Sequence, residues 1–461
     1  MNKNIDSKDT DKKIALIIFT LSSFITPFMS SSINIALPSI GKEFSMNTIL
    51  LSWVATAFIL SAAMFLVPFG RIADIYGRKK VFLYGIFIYS FASLLCAISS
   101  SSGLLIVFRV LQGIGSAMTF GSGMAILTSV FPPGERGRAL GINVAAVYTG
   151  LALGPFFGGL LTYHFGWRSI FLVNVFLGSM ILLFILWKLK GEWVEAKNEK
   201  FDLIGSVIYS SSLIAIIYGF SLFPSTPGLL LFVAGIIGLL MFIFWENKIG
   251  NPILNIRLFR NNIVFTFSNL SALINYSATS AVGFLLSLYL QYVKGFNPKH
   301  AGLILVSQPV VMAILSPFAG KLSDKIEPRI VASSGMALTV IGLSMLLFLN
   351  ISTSLGFIIL SLIILGFGFA LFSSPNTNAV MSSVDKKFYG VASATLGTMR
   401  LTGQMFSMGI AMLIFSIYIG KVQITPEYYL LFTSSVKTAF LIFAILCFFG
   451  IFASLARGKV R

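Results

Sequence analysis

Fourteen separate stretches of this chain are each apolar over about the 20 residues that a helix needs to cross a bilayer. They lie at 14–38, 48–69, 80–98, 103–129, 140–162, 169–188, 203–222, 228–246, 262–290, 300–319, 330–349, 354–377, 389–418 and 436–456, and take up most of the 461 residues. A soluble core could not hide that much apolar surface, because single cores stop growing at about 250–300 residues. The runs are continuously apolar rather than alternating. They therefore read as helices and not as barrel strands, the two structures that satisfy their own backbone in lipid. The fold class is an all-α integral membrane protein. The ninth and thirteenth runs exceed what the bilayer requires, which predicts a tilt or kink in each.

Charge sets the topology. Only 10% of the residues are charged, yet the net charge is +18. With the N-terminus in the cytoplasm and sides alternating, 25 of the 33 lysines and arginines fall in cytoplasmic segments and 5 on the opposite side. Arg109, Arg400 and Lys437 fall inside or at the edge of helices. This is the positive-inside pattern, and it puts both termini in the cytoplasm. The excess charge belongs to loops beside anionic lipid, not to nucleic acid. The apolar run behind the charged start lacks a small-x-small cleavage site and reads as a helix that stays. Trp167, Trp187, Trp193 and Trp245 fall at the expected membrane edges, as an aromatic belt would have them. Cys96 and Cys447 offer neither a disulfide framework nor a metal spacing, so no metal or cofactor is expected.

Internal repeats divide the chain. GRIADIYGRKK (Gly70 to Lys80) follows the second run and GKLSDKIEPR (Gly320 to Arg329) follows the tenth, so Gly70 and Asp74 map onto Gly320 and Asp324 with one offset of 250. QGIG (Gln112 to Gly115) is echoed by LGFG (Leu365 to Gly368). Helices one to six therefore resemble nine to fourteen, with two inserted between, a 6+2+6 plan. The expected parts are a cytoplasmic tail 1–13, a six-helix bundle 14–189, a loop with two linker helices 190–250, a second bundle 251–456 and a tail 457–461. Duplicated halves of this kind are a transporter signature, with the substrate site at their interface. The two inserted helices read as a lipid-facing linker.

In the repeated loop, Gly70 permits close backbone approach and Gly77 a tight turn. Asp74 is placed to accept from helix-terminal amides or a cation, and Arg78, with Lys79 beside it, is expected to pair across the interface. The Asp74 and Asp324 loops thus read as latches on the cytoplasmic side. In the fifth helix, Gly150, Gly154, Gly158 and Gly159 give a smooth packing face, and Pro155 frees a carbonyl and bends the helix, which suits a hinge. Arg109 lies about two turns inside the fourth helix, where a cation costs about 2.5–3.5 kcal/mol and needs a partner or a function. The plainer reading is that it caps carbonyls or snorkels outward. Arg400 poses the same question, with Gln404 one turn on.

These motifs resemble those of the major facilitator superfamily. Gly70 to Lys80 is similar to its signature loop, Arg109-Val-Leu-Gln112-Gly113 to its fourth-helix motif, and Gly150 to Gly159 to its fifth-helix "antiporter" motif. The count of fourteen, with NIALPSI (Asn34–Ile40), SWVATAF (Ser52–Phe58) and GWRSIFLVNV (Gly166–Val175), resembles the 14-helix drug:proton antiporter subfamily. The resemblance implies a multidrug efflux carrier of the cell membrane, working as a monomer on small-molecule substrates with protons as the coupling ion. It also implies a role for Arg109 near the proton pathway.

One position departs from that pattern. Many members carry an acid in helix one shortly before the NxALP string, where this chain has Met29 followed by three serines. All fifteen acids and both histidines, His164 and His300, fall in loops or at membrane edges. The expected cavity is therefore neutral to positive and favours neutral, zwitterionic or anionic amphiphiles over dicationic drugs. Coupling would use Asp74 or a proton carried by the substrate. Asn34, Asn143, Asn275, Asn376 and Arg400 are candidate cavity residues, although an intramembrane Asn is more often glue between helices. The chain has no cluster of nucleophile, base or metal ligands and no GxxxxGK[ST] string, so neither an enzyme nor an ATP-driven pump is expected. The alternatives kept open are an importer or symporter of a neutral or anionic solute, and a transporter-like sensor.

Overall fold

Short polar caps start many of the helices that the apolar runs sustain. Asn47, Ser101, Asp202, Ser225, Asn262, Asn297 and Ser354 each accept from the backbone N–H three residues on. Each fills one of the donors that a helix N-terminus leaves unpaired. The computed structural model describes residues 2–132, 135–189, 191–197, 199–385 and 388–458. Lys190, Lys386, Lys387 and most of the 457–461 tail, which entered the charge count, lie outside them.

Among the described residues there is no strand, and fourteen helices are long and apolar enough to cross a membrane. They are Asn2–Glu43, Thr48–Tyr76, Arg78–Ala97, Ser102–Val130, Arg136–Phe165, Arg168–Lys188, Leu203–Leu222, Thr226–Lys248, Ile263–Val293, Pro298–Ser323, Pro328–Phe348, Leu355–Ser382, Tyr389–Tyr418 and Pro426–Ala456. The first helix begins at Asn2, so residues 2–13 are helical and continuous with the first span. Of the two long runs, the ninth breaks, into Ile263–Thr279, Val282–Leu288 and one π turn. Its cause is a side chain inserted into the ladder: the Ala281 N–H donates to Ser407 Oγ at 2.9 Å. The thirteenth runs unbroken, and the tenth breaks instead, at Val306.

The two halves pack alike. In the first, the first span lies on the fifth, the second on the fourth, and the third on the fourth and sixth; in the second half, the ninth lies on the thirteenth, the tenth on the twelfth, and the eleventh on the twelfth and fourteenth. The seventh span is not a lipid-facing linker. It packs along the second and thirteenth spans, one from each half. Tyr209 Oη donates to the Ala63 carbonyl at 3.3 Å, and Ser416 Oγ donates to the Phe223 carbonyl. The eighth span turns Leu230, Leu240 and Phe244 outward and fits the lipid-facing reading.

At the end opposite the cation-rich loops the halves are stitched together. Thr48 N–H donates to Val422 O at 3.0 Å, Ser287 Oγ to Asn34 O at 2.6 Å, and Gln291 Nε2 to Ile35 O at 3.0 Å. At the cation-rich end, which the charge bias assigns to the cytoplasm, a vestibule of about 380 Å³ separates them. It is lined by Gly70, Arg71 and Asp74 from one half and Ser393, Ala394 and Thr398 from the other. This is an inward-facing arrangement. Gln291→Leu removes one bond of the outer seal, worth about 1 kcal/mol net. It is expected to raise the outward-open population about fivefold, read as faster labelling from outside of a cysteine introduced at Asn34.

Candidate functional site

The cavity at the seam has two adjoining lobes of about 190 and 150 Å³. Together they reach the range of small-molecule pockets, roughly 300–1,000 Å³. Phe58, Leu151, Tyr276 and Phe369 line both lobes, so the wall is largely aromatic and apolar and both halves contribute. Between the cavity and the vestibule, Tyr148 and Ser373 hydrogen-bond across the seam and Phe120 lies against Gly397.

Two charged residues line these lobes, and both are arginines. They differ in how they are held. Arg109 is 1% exposed; its Nε donates to Val54 O at 2.9 Å and its Nη1 to Gln112 Oε1 at 2.5 Å, and its guanidinium lies 4.4 Å from the centroid of Phe58. Gln112 passes the chain on to Ser93 Oγ at 2.7 Å. The fourth-helix motif is thus a satisfied network, and capping a carbonyl is part of what Arg109 does. Gly113 lets it form, since a Cβ there would collide with Ser61 of the second span. Arg400 is only partly tied down. Its Nη2 donates to Thr377 Oγ1 at 2.7 Å, its guanidinium is 5.7 Å from the Tyr276 ring, and its buried Nε has no partner among the described residues. Asn143, 3% exposed, lines the same lobe with an unpartnered Oδ1. An unmet donor and an unmet acceptor facing one lobe are what a polar ligand would satisfy.

The other expected cavity residues divide. Asn34 lines the first lobe. Asn275 and Asn376 do not line either lobe. Asn275 faces Cys447 of the fourteenth span with neither amide atom hydrogen-bonded among the described residues, and Asn376 Nδ2 donates to Ser268 O at 3.1 Å, which joins the twelfth span to the ninth. Met29 is buried with its sulfur 3.2 Å from Asn174 Nδ2, whereas Ser30 and Ser31 line the cavity. Tyr148, Gln308 and Gln404 complete the polar wall.

The signature loop is tied to its own half and to the linker segment around Glu195. Arg78, 5% exposed, donates from Nε to Asp74 Oδ1 at 2.7 Å, from Nη1 to Ser129 Oγ at 2.5 Å and Glu195 Oε1 at 2.8 Å, and from Nη2 to Glu195 Oε2 at 2.7 Å. The Asp74 carbonyl accepts from Glu195 N–H and Ala196 N–H. Gly77 turns with φ +120°, and the Glu192 carboxylate sits against it and accepts from Lys79 N–H at 2.8 Å. The expected pairing of Arg78 across the interface is absent because the halves stand apart at this end. Asp324 likewise meets Asn378 Nδ2, at 3.3 Å, within its own half. A Cβ at Gly70 would meet open space, one at Gly121 would lie in ordinary contact 3.4 Å from the Gly70 backbone, and one at Gly320 would meet only Ser374 Oγ at 3.5 Å.

The fifth-span motif packs mostly on the first span and reaches the seam at Gly159. A Cβ at Gly150 would lie 2.5 Å from Phe24 O, at Gly154 2.9 Å from Phe28 O, and at Gly158 2.7 Å from Ser32 Cα, all on the first span. Gly159 instead faces the other half, 2.6 Å from Pro298 O, and a Cβ at Gly302 would strike the Pro155 carbonyl.

The Major Facilitator Superfamily pattern matches residues 19–259 and 269–460. Among curated proteins, the chain is 31% identical over 400 residues to the riboflavin transporter RibZ of Clostridioides difficile, covering 87% of each. It is 29% identical to the multidrug resistance protein Stp of Mycobacterium tuberculosis, covering 86% of this chain and 74% of that one. It is 28% identical to the tetracenomycin C resistance and export protein of Streptomyces glaucescens, covering 79% and 68%. Among solved structures, a bacterial homologue of the human lysosomal transporter Spinster, inward-facing and unoccupied, matches with TM-score 0.68 at 17% identity, covering 97% of both chains.

Proposed function

The chain belongs to the Major Facilitator Superfamily, and from that premise we propose that this multi-pass secondary transporter of the cell membrane exports small amphiphilic compounds by alternating access, driven by the proton gradient. The substrates it favours are neutral or anionic and carry an aromatic face. The observation that carries this reading is the wall of the two lobes: Phe58, Tyr276 and Phe369 with Arg109 and Arg400, and no acid or histidine among the described lining residues. Flat apolar faces stack on such rings, and an Arg with an unmet Nε recruits a carboxylate or a carbonyl. Efflux is supported by the two relatives named for resistance and by the fifth-span motif, whose Gly159 meets the other half. In the outward-facing state the vestibule closes, and the Asp74 and Asp324 loops latch it.

A second reading is uptake of a neutral aromatic solute, favoured by the relative named a riboflavin transporter and by the same aromatic wall. Flux in proteoliposomes decides between them, with anionic, neutral and cationic aromatic compounds and riboflavin, with and without a pH gradient. Right-side-out and everted vesicles give the direction. The expected result is gradient-dependent movement of anionic and neutral compounds. Strong gradient-driven expulsion of a dicationic dye, unchanged by Asp74→Asn, would sink the reading.

A further inference from the structure

Among the described residues neither six-helix bundle offers an acid to the cavity between them, but the two inserted helices bring a pair of carboxyls together at their cation-rich end. Asp202, 5% exposed, caps the seventh span, its Oδ1 accepting from Gly205 N–H at 2.9 Å, and Oδ2 accepts from Trp245 Nε1 at 3.0 Å. Glu246, 3% exposed, ends the eighth span. Its Oε2 accepts from Leu254 N–H at 2.8 Å, while Oε1 receives no N–H or hydroxyl donor among the described residues. What faces Glu246 is the Asp202 carboxyl. Both carboxyls converge over Gly205, where a Cβ would collide with Asp202 Oδ2 and Glu246 Oε1 together.

Among the described residues neither carboxyl makes an ion pair. On the elements around them, Arg71 is paired with Glu199, Asp74 with Arg78, and Lys248 lies 4.0 Å from the centroid of Phe244. Lys197 and Lys200 are exposed, Tyr209 donates to Ala63 O, and residues 249–256 carry no titratable side chain. Two buried carboxyls that meet without a cation repel each other when both are charged, and a proton held between them removes the repulsion.

We propose that Asp202 and Glu246 form a proton-binding site that controls the 249–256 strap on the wall of the vestibule. Pro252, Ile253, Leu254 and Asn255 of that strap line the vestibule opposite Gly390 to Thr395. With one proton shared, Glu246 stays against Asp202 and holds Leu254 in place. When the proton leaves for the cytoplasmic water, two like charges face each other over Gly205. Asp202 is fixed by its cap and by Trp245, so Glu246 moves and takes the strap with it. The site does not depend on which compound is carried or in which direction.

The native cysteines Cys96 and Cys447 are both buried, so single cysteines introduced in the strap report cleanly. The experiment uses the full chain in nanodiscs, with Ile253→Cys labelled by a maleimide between about pH 5 and pH 9, the span in which buried carboxyls titrate. Asn255→Cys, already exposed on the same strap, normalises for the reagent's own pH dependence. The normalised rate is expected to rise several-fold with pH, and to stay flat and low when Glu246→Gln is added, because the amide mimics the protonated acid. Infrared spectra are expected to show a protonated carboxyl band at neutral pH that Glu246→Gln or Asp202→Asn removes. A flat rate in the otherwise native background, the same rise with Glu246→Gln, or no such band would each overturn the proposal.

Discussion

Gly302→Val is expected to stop transport by holding the outer seal open, while the protein still folds and inserts. A Cβ at Gly302 would strike the Pro155 carbonyl, and one at Gly159 would lie 2.6 Å from Pro298 O, so both glycines lie where the fifth span meets the tenth across the seam. Backbone cannot retreat as a flexible side chain can, and an overpacked contact of this kind costs about 3 kcal/mol, the upper end of the usual range. The strain exists only when the outer side is closed. It therefore biases the two-state equilibrium by about 150-fold toward the outward-open form and starves the transport cycle of its inward-facing half. Double electron–electron resonance between labels on the outer loops is expected to lengthen, with flux lost in parallel. Gly158→Val is the control: its Cβ would meet Ser32 Cα inside the first bundle, so it is expected to lower thermal stability rather than shift the state. If Gly302→Val gave wild-type distances and flux, the fifth–tenth contact would not belong to the outer gate.

The spans and the two-half plan were legible because lipid imposes them on the sequence directly: each helix must bring its own apolar length, and the loops must carry their cations on one side. The cavity wall was not legible in the same way. Asn34 and Asn143 line it, while Asn376 ties two helices together and Asn275 is buried beside Cys447, and an asparagine reads the same in each role. The direction in which it points depends on helix rotation, which packing decides and local sequence does not. Met29 makes the same point, since the side chain counted as replacing a cavity acid faces Asn174 and the sixth span. The loop at Arg78 was legible as a motif, but its partner Glu195 lies 117 residues away in a segment read as plain linker. The seventh span was read as bland because serine and tyrosine are weak signals, yet Tyr209 and its neighbours fill the groove between the second and thirteenth spans.

Arg400→Glu is expected to invert the charge preference of the cavity. Arg400 is the lining arginine with a free donor, whereas the Nε and Nη1 of Arg109 are taken up by Val54 and Gln112. A charge about 4 Å from a bound anion is worth up to about 4 kcal/mol at an effective dielectric near 20, and water in the half-open lobe reduces this. A loss of at least about tenfold in flux of anionic aromatics is therefore the conservative expectation. Neutral compounds, held by Phe58, Tyr276 and Phe369, are expected to change by much less, and a monocationic dye is expected to gain. Arg400→Lys keeps the charge but not the flat face beside Tyr276, so it is expected to retain anion preference at reduced affinity. Reconstituted flux of one anionic, one neutral and one cationic dye of similar shape measures all three variants on one scale. Should Arg400→Glu slow the three dyes equally, Arg400 would serve the folding of the thirteenth span through Thr377, and the selectivity assigned to it would have to come from Arg109 or from shape alone.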